Sequence, residues 1–120
     1  MRRRSSAEVR ADLIAAAGHL FAKRGYAGTS TKEIAQRAGV YETSIYTHFS
    51  SKAGVFSAAV IEPFTEFIES FGRALSDHRG ASDEALVRAF VGYLYEALDE
   101  HHDAVMAFVL VMGEAVKRSS

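Results

Sequence analysis

Residues 29–52 read TSTKEIAQRAGVYETSIYTHFSSK, and this stretch predicts two short helices joined by a tight glycine turn. Ser30 and Glu33 have the spacing of a capping box, in which each side chain binds the other residue's backbone amide. Gly39 follows a small apolar face, where a helix must end and the backbone often takes a positive φ. A second helix is expected from about residue 43 to residue 49.

The second of these helices has an apolar face and a polar face. Ile45 and Phe49 share the inner face, while Thr43 and Thr47 share the outer one. An outer face of small hydroxyl groups, including Ser44, is unusual on a merely solvated helix, because such residues are poor helix formers. The pattern is typical of a helix-turn-helix that reads the DNA major groove, although an ordinary helical hairpin has the same outline.

These residues also resemble the DNA-binding signature of the TetR-like transcriptional repressors, closely over residues 7–60. The matching positions are Thr29-Ser30, Ile34-Ala35, Ala38-Gly39-Val40, Ile45-Tyr46, His48-Phe49 and Lys52. The resemblance implies an all-α fold, with a homeodomain-like three-helix bundle, a long linking helix and a small helical region for ligand binding and dimerisation. It also implies that Tyr46, Lys52 and the amides of the fourth helix hold the DNA backbone.

The charge distribution agrees with a nucleic-acid partner for one half of the chain. The 120 residues have a net charge of −1. Residues 1–52 hold nine Lys and Arg against four acids, a balance of +5, whereas residues 53–120 hold five against eleven, a balance of −6. This asymmetry is expected if only the first half meets phosphate.

The predicted DNA-contacting residues lie in and around the two short helices. Threonine can offer its methyl group to thymine, and glutamate can accept a hydrogen bond from cytosine N4. Tyr41 and Glu42 depart from the usual family pattern, which leaves the operator sequence open. Arg37 is either a phosphate contact or a solvated arginine. The full set is Thr29, Ser30, Arg37, Tyr41, Glu42, Thr43, Ser44, Tyr46, Thr47, His48 and Lys52.

Residues 1–6 form a basic arm that is too short and too charged to fold alone. Arg2, Arg3 and Arg4 are predicted to enter the minor groove beside the major-groove site. The alternative interpretation is a disordered basic tail.

Apolar periodicity predicts the other helices and the domain limits. A first helix is expected over residues 7–24, and a fourth over residues 52–75 with a kink or break near residues 59–63, because Pro63 lies in its middle. A loop at residues 76–82 precedes helices at residues 83–100 and from about residue 103, separated by His101-His102. We expect a DNA-binding domain at residues 7–52 and a regulatory region at residues 53–120, incomplete relative to the family.

Aromatic and methionine side chains of the last three helices are either plain core or the wall of a ligand pocket. The resemblance implies such a pocket for a small inducer, and the few polar groups favour an apolar or aromatic ligand. The candidate lining residues are Phe64, Phe67, Phe71, Phe90, Tyr93, Met106 and Met112.

Other functional classes find little support. Cysteine is absent, and His101, His102 and Asp103 are adjacent rather than spaced as metal ligands, so we expect no metal and no cofactor. No catalytic constellation indicates an enzyme. No signal peptide or membrane-spanning run is apparent. The resemblance implies a cytoplasmic protein of the bacterial cytosol that is associated with the nucleoid.

Two functions follow from these patterns. In the first, the chain is a dimeric repressor that binds a palindromic double-stranded operator and is released by a small ligand. The resemblance places the family's two dimerisation helices beyond residue 120, so either the chain is a truncated or unusually short member or it dimerises through the fifth and sixth helices. We expect self-association, because the sixth helix is apolar nearly all round. In the second, the chain is a helical interaction module that pairs with a longer relative and has little operator binding alone.

Overall fold

The computed structural model describes residues 3–119, which form helices and turns without a strand. The helices are α1 (Ser6–Arg24), α2 (Thr31–Ala38), α3 (Thr43–Phe49), α4 (Lys52–Phe56), α5 (Glu62–Asp77) and α6 (Asp83–Ser119). A π-helical segment, Ser57–Ile61, joins α4 to α5. The predicted all-α fold class is confirmed.

Short-range capping sets the ends of the first helices. Ser5 with Glu8 and Ser30 with Glu33 each form a reciprocal capping box, at the starts of α1 and α2. Gly39 ends α2 in the left-handed region, at φ 73°. The three predicted N-terminal helices are therefore present, with bounds within one residue of those expected.

The helix after α3 changes its hydrogen bonding close to Pro63, but it does not break. The Glu62 N–H donates to the Ser57 carbonyl five residues back, and the backbone angles stay in the right-handed helical range at both residues. Proline has no N–H to donate, and its ring crowds the carbonyl of the preceding turn. The turn before Pro63 therefore widens by one residue, so the expected irregularity takes the form of a π-helical segment.

The end of the chain is one long helix with a kink. Asp77 ends α5, and the Ser82 hydroxyl accepts from the Ala85 N–H at 3.2 Å at the start of α6. His101 has non-helical angles, φ −128° and ψ 33°, within α6. The two predicted helices are thus the two halves of α6, residues 83–100 and 102–119, and the kink lies where the sequence predicts a helix end.

One continuous core joins the N-terminal helices to the second half of α6. Its members come from α1, α2, α3, α4, the π-helical segment and α6. Ala107 is fully buried in it, and Phe108 and Val111 pack against it. The core therefore extends across the expected boundary between residues 52 and 53, and the division into two domains there stays a prediction.

The helix α5 and the first half of α6 form a hairpin with much less burial. Aromatic rings connect the two helices, with centroid distances of 6.0 Å for Phe67–Tyr93 and 5.5 Å for Phe71–Tyr93. No residue of α5 is buried, and among residues 83–100 only Ala97 is. The hairpin consequently leaves much apolar surface exposed.

Candidate nucleic-acid interface

The short helix α3 presents a polar face to solvent and an apolar face to the core. Ile45 is fully buried and Phe49 is 8% exposed, whereas Thr43 and Thr47 are exposed. The Thr47 hydroxyl donates to the Thr43 carbonyl at 3.1 Å, as threonine does within a helix. Ser44 is half-buried. The arrangement offers hydroxyl and methyl groups to a partner in front of α3.

Two residues at the front of α3 are linked to the first turn of α2. The Thr31 hydroxyl donates to Glu42 Oε2 at 2.6 Å and lies 3.4 Å from the Tyr46 hydroxyl. One oxygen of the carboxylate predicted to read cytosine is therefore already engaged within the protein. Thr31 was not among the predicted site residues, because nothing in the local spacing indicates a contact eleven residues along the chain.

The aromatic residues of this surface differ in exposure. Tyr41 is 85% exposed and Tyr46 is 52% exposed, so both rings are available to a partner. His48 is half-buried, and its ring centroid lies 6.1 Å from that of Phe49. Arg10, which was not predicted, places its guanidinium 5.1 Å from the Phe49 centroid. It adds a cation beside α3.

Thr29 and Ser30, at the start of the helix-turn-helix, serve its architecture. Thr29 is 2% exposed, and its hydroxyl donates to the carbonyls of Leu20 and Gly25 at 3.2 and 2.9 Å. This position leaves Thr29 little surface to present to DNA. Ser30 is exposed but caps α2, and its hydrogen bond to the Glu33 carboxylate lowers the pKa of that carboxyl.

The cations of the arm and of α2 have distinct surroundings. Arg4 donates to Asp12 Oδ2 at 2.8 Å and to the carbonyls of Ala38 and Gly39 at 2.8 and 2.6 Å. Its guanidinium is thus bound to the turn between α2 and α3. Arg3 and Arg37 are exposed. Arg2 lies outside the described residues, so its expected minor-groove contact stays a prediction.

Lys52 begins α4, directly after the Ser51 cap. Ser51 accepts from the Gly54 N–H at 3.0 Å, which satisfies one of the free amides at this helix end. The Lys52 ammonium lies 4.2 Å from the centroid of the Tyr26 ring. A cation at the N-terminal end of a helix strengthens its attraction for phosphate.

The predicted pocket residues are only partly brought together. Between α5 and α6 lies a cavity of about 310 Å³, lined in part by Phe71, Phe90 and Tyr93. A smaller cavity of about 170 Å³ includes Phe67 and Tyr93, and its other lining residues include three carboxylates, Glu66, Glu96 and Glu100. These charges contrast with the few polar groups that the sequence predicts for the pocket.

The remaining pocket candidates lie elsewhere. Phe64 stacks on Phe108, with ring centroids 4.0 Å apart, and so joins α5 to the second half of α6. Met106 and Met112 belong to that half of α6 and are 37% and 53% exposed. An enclosed set of all seven predicted residues is therefore not formed.

Within residues 3–119, no three His, Asp or Glu side chains converge in a way that could hold a metal ion. Over the same range, none of the helices has both the length and the apolar character that spanning a membrane requires.

Comparison with known proteins identifies relatives of this helix-turn-helix. Residues 13–59 match the family described as "Bacterial regulatory proteins, tetR family". The transcriptional repressor KstR2 of Rhodococcus jostii is 30% identical over 99 residues, which is 82% of this chain and 48% of the relative. The transcriptional activator FasR of Mycolicibacterium smegmatis is 34% identical over 90 residues, 72% of this chain and 41% of the relative. The chain spans about half the length of these curated relatives.

A solved structure has a similar fold. Native NalD, the secondary repressor of the MexAB-OprM multidrug efflux pump in Pseudomonas aeruginosa, aligns with a TM-score of 0.55 and 26% identity. The alignment covers 88% of this chain and 52% of that one.

Proposed function

We propose, on the premise that this chain belongs to the TetR family of bacterial regulatory proteins, that it binds operator DNA sequence-specifically and represses transcription. The observation that carries the proposal is the exposed hydroxyl face of α3, supported from below by Ile45 and Phe49. Hydroxyl and methyl groups suit base edges in the major groove, and the basic first 52 residues suit phosphate. Its relatives include a repressor and an activator. That this chain represses rather than activates transcription is therefore itself part of what we propose. Its site of action is the DNA of the bacterial cytosol.

The proposed operator is palindromic, since two copies related by a twofold axis present two α3 helices to two half-sites. An exposed apolar row on α6 supports self-association: Val87, Val91, Leu94 and Leu98 recur at intervals of four, three and four residues and are 38–62% exposed. A row of this spacing packs well against a second helix. A homodimer covers it.

Release by a small ligand is the finer part of the proposal. The apolar cavity beside Phe71, Phe90 and Tyr93 supports an aromatic or apolar ligand there. Titration with an apolar aromatic dye tests it: we expect saturable fluorescence that Phe71→Ala weakens and that operator DNA reduces. Fluorescence that does not saturate, or that is the same in Phe71→Ala and in the presence of operator DNA, would contradict a pocket.

Selection from a pool of random DNA duplexes, followed by sequencing and by titration at several salt concentrations, tests DNA reading. We expect a palindromic consensus and an affinity that falls steeply as salt rises. A monomer with weak binding and no consensus would instead favour the interaction module that pairs with a longer relative.

Two variants separate base contacts from phosphate contacts. Thr47→Ala should relax the consensus at one position, whereas Lys52→Ala should weaken all duplexes alike and reduce the salt slope by about 0.9. Arg79→Ala is the matched control, because it removes an exposed cation in the α5–α6 connection. Equal effects of Lys52→Ala and Arg79→Ala would contradict a phosphate contact at Lys52.

A further inference from the structure

The Lys52 ammonium lies over the face of the Tyr26 ring. The nitrogen lies 4.2 Å from the ring centroid, within the range of a cation–π interaction. The ring is itself fixed by the core, since it stacks on Phe21 at 5.8 Å and meets Phe56 edge-on at 5.2 Å. A lysine has a long, flexible stem, so a fixed ring beneath its ammonium restricts where the charge can lie. The three N–H donors of the ammonium leave it able to bind phosphate at the same time.

The backbone of Tyr26 is held by the distant end of α6. Glu114 Oε1 accepts from the Tyr26 N–H at 3.1 Å, and Oε2 accepts from the Ala27 N–H at 3.4 Å. The Glu114 side chain is 28% exposed, and Arg118 lies 3.7 Å from Oε2. A carboxylate that accepts two successive amides forms charge-assisted hydrogen bonds, which are stronger than neutral ones.

Gly25 makes room for this carboxylate. A Cβ at Gly25 would collide with Glu114 Oε1, so the carboxylate would have to move away from the Tyr26 and Ala27 amides. Gly25 also has φ 74°, in the range that favours glycine, where it ends α1. The loop between α1 and α2 is therefore shaped for close approach by α6.

We propose that Tyr26 and Glu114 are positioning residues for Lys52. Glu114 fixes the loop, the loop fixes the Tyr26 ring, and the ring holds the Lys52 ammonium where the backbone phosphate arrives. The inference rests on the proposed function, because Lys52 acts there as the phosphate contact. Its consequence is that the second half of α6, far along the chain, affects DNA affinity through one cation.

A double-mutant cycle on the selected duplex tests the link between Tyr26 and Lys52. Tyr26→Leu removes the ring face and should weaken binding about threefold, the scale of an exposed cation–π interaction. In the Lys52→Ala background the same change should have almost no further effect. Tyr26→Phe keeps the ring and should bind as the unsubstituted protein does. Equal losses from Tyr26→Leu in both backgrounds would show that Tyr26 supports only the fold.

Glu114→Gln tests the second link in the same way, with Glu96→Gln as the control on the other half of α6. The loss of affinity should again vanish in the Lys52→Ala background, and the salt slope should fall toward that of Lys52→Ala. An affinity and a slope equal to those of Glu96→Gln would overturn the role of Glu114.

A measurement without DNA keeps the proposal separate from the proposed function. After reductive ¹³C-methylation of lysines, the Lys52 methyl signals should be shifted upfield by the Tyr26 ring. Tyr26→Phe should keep that shift, Tyr26→Leu should abolish it, and Glu114→Gln should reduce it together with the exchange protection of the Tyr26 and Ala27 amides. An unshifted Lys52 signal in the unsubstituted protein would overturn the contact between Lys52 and Tyr26. The expected upfield shift, without a selected DNA consensus, would overturn only the DNA-binding function.

Discussion

Arg4 closes the turn of the helix-turn-helix from outside. Its guanidinium joins the Asp12 carboxylate of α1 to the last carbonyls of α2, at Ala38 and Gly39. Carbonyls at a helix end lack partners within the helix, and a cation there also suits the helix dipole. Because these contacts hold α2 and the turn before α3, we expect Arg4 to affect the proposed DNA binding through the orientation of the two helices.

We therefore expect Arg4→Gln to lower the free energy of unfolding by about 1 kcal/mol, as charged hydrogen bonds at a partly exposed site do. The salt slope of DNA binding should stay unchanged, because no phosphate contact is lost. Arg3→Gln is the control, since Arg3 is the exposed arginine next to it. Chemical denaturation and salt titration measure the two effects. A slope that falls by about 0.9 in Arg4→Gln would mean that Arg4 leaves the turn to bind phosphate.

Glu33 makes the stability of the protein depend on pH. The hydrogen bond from Ser30, together with the charge of Arg24, lowers the pKa of Glu33 below its ordinary value. A folded-state pKa that is depressed stabilises the protein above the unfolded-state pKa, and this contribution is lost as pH falls through the folded-state value. When the pH is lowered from neutral to below 4.5, the unfolding temperature should fall less in Glu33→Gln than in the unsubstituted protein. Glu69→Gln, which removes an exposed carboxylate from α5, is the control, and an equal reduction in it would refute the assignment.

At the scale of elements, two glycines have opposite requirements. Gly39 has φ 73° and ends α2, and an added Cβ would lie 3.5 Å from Arg4 Nη2. Gly72 lies inside α5 with nothing within 4 Å of an added Cβ. Alanine is strained in the first environment and favoured in the second.

Gly39→Ala should therefore destabilise the protein by roughly 1–2 kcal/mol, whereas Gly72→Ala should stabilise it by roughly 0.5–1 kcal/mol. Urea denaturation of both variants and of the unsubstituted protein under the same conditions measures both values. Each variant is the control for the other. A Gly39→Ala variant that is as stable as the unsubstituted protein would show that α2 does not end at a left-handed glycine, and a destabilised Gly72→Ala would contradict the open surroundings of Gly72.

These elements were predictable where the cause is local. Capping residues lie three positions apart, and Gly39 and Pro63 mark their own positions, so the ends of α2 and the irregularity before α5 could be read from the sequence. The form of that irregularity could not, because a proline can be accommodated by a kink, a break or a π-helical turn, and its position does not choose among them. The contacts of the site were also missed, since Arg4 meets Ala38 over 34 positions and Glu114 meets Tyr26 over 88. Such pairs depend on how the helices pack.

At the scale of the whole molecule, burial is uneven. The N-terminal helices share one core with the second half of α6, whereas the hairpin of α5 and residues 83–100 exposes large apolar side chains. Contiguous exposed apolar surface of this kind marks an interaction site. Exposed apolar side chains also follow His101 on α6, where Val109, Met112 and Val116 are 53–67% exposed.

Leu94→Glu should convert the proposed dimer to a monomer, because it places a charge in the middle of the row formed by Val87, Val91, Leu94 and Leu98. Analytical ultracentrifugation should give the mass of one chain, and affinity for the palindromic duplex should fall to that for a single half-site. Arg88→Glu adds the same side chain outside the row and should remain dimeric. The far-ultraviolet circular dichroism of both variants should match the unsubstituted protein. If Leu94→Glu stayed dimeric, the twofold interface would lie on another surface, and the exposed row would be left for a different partner.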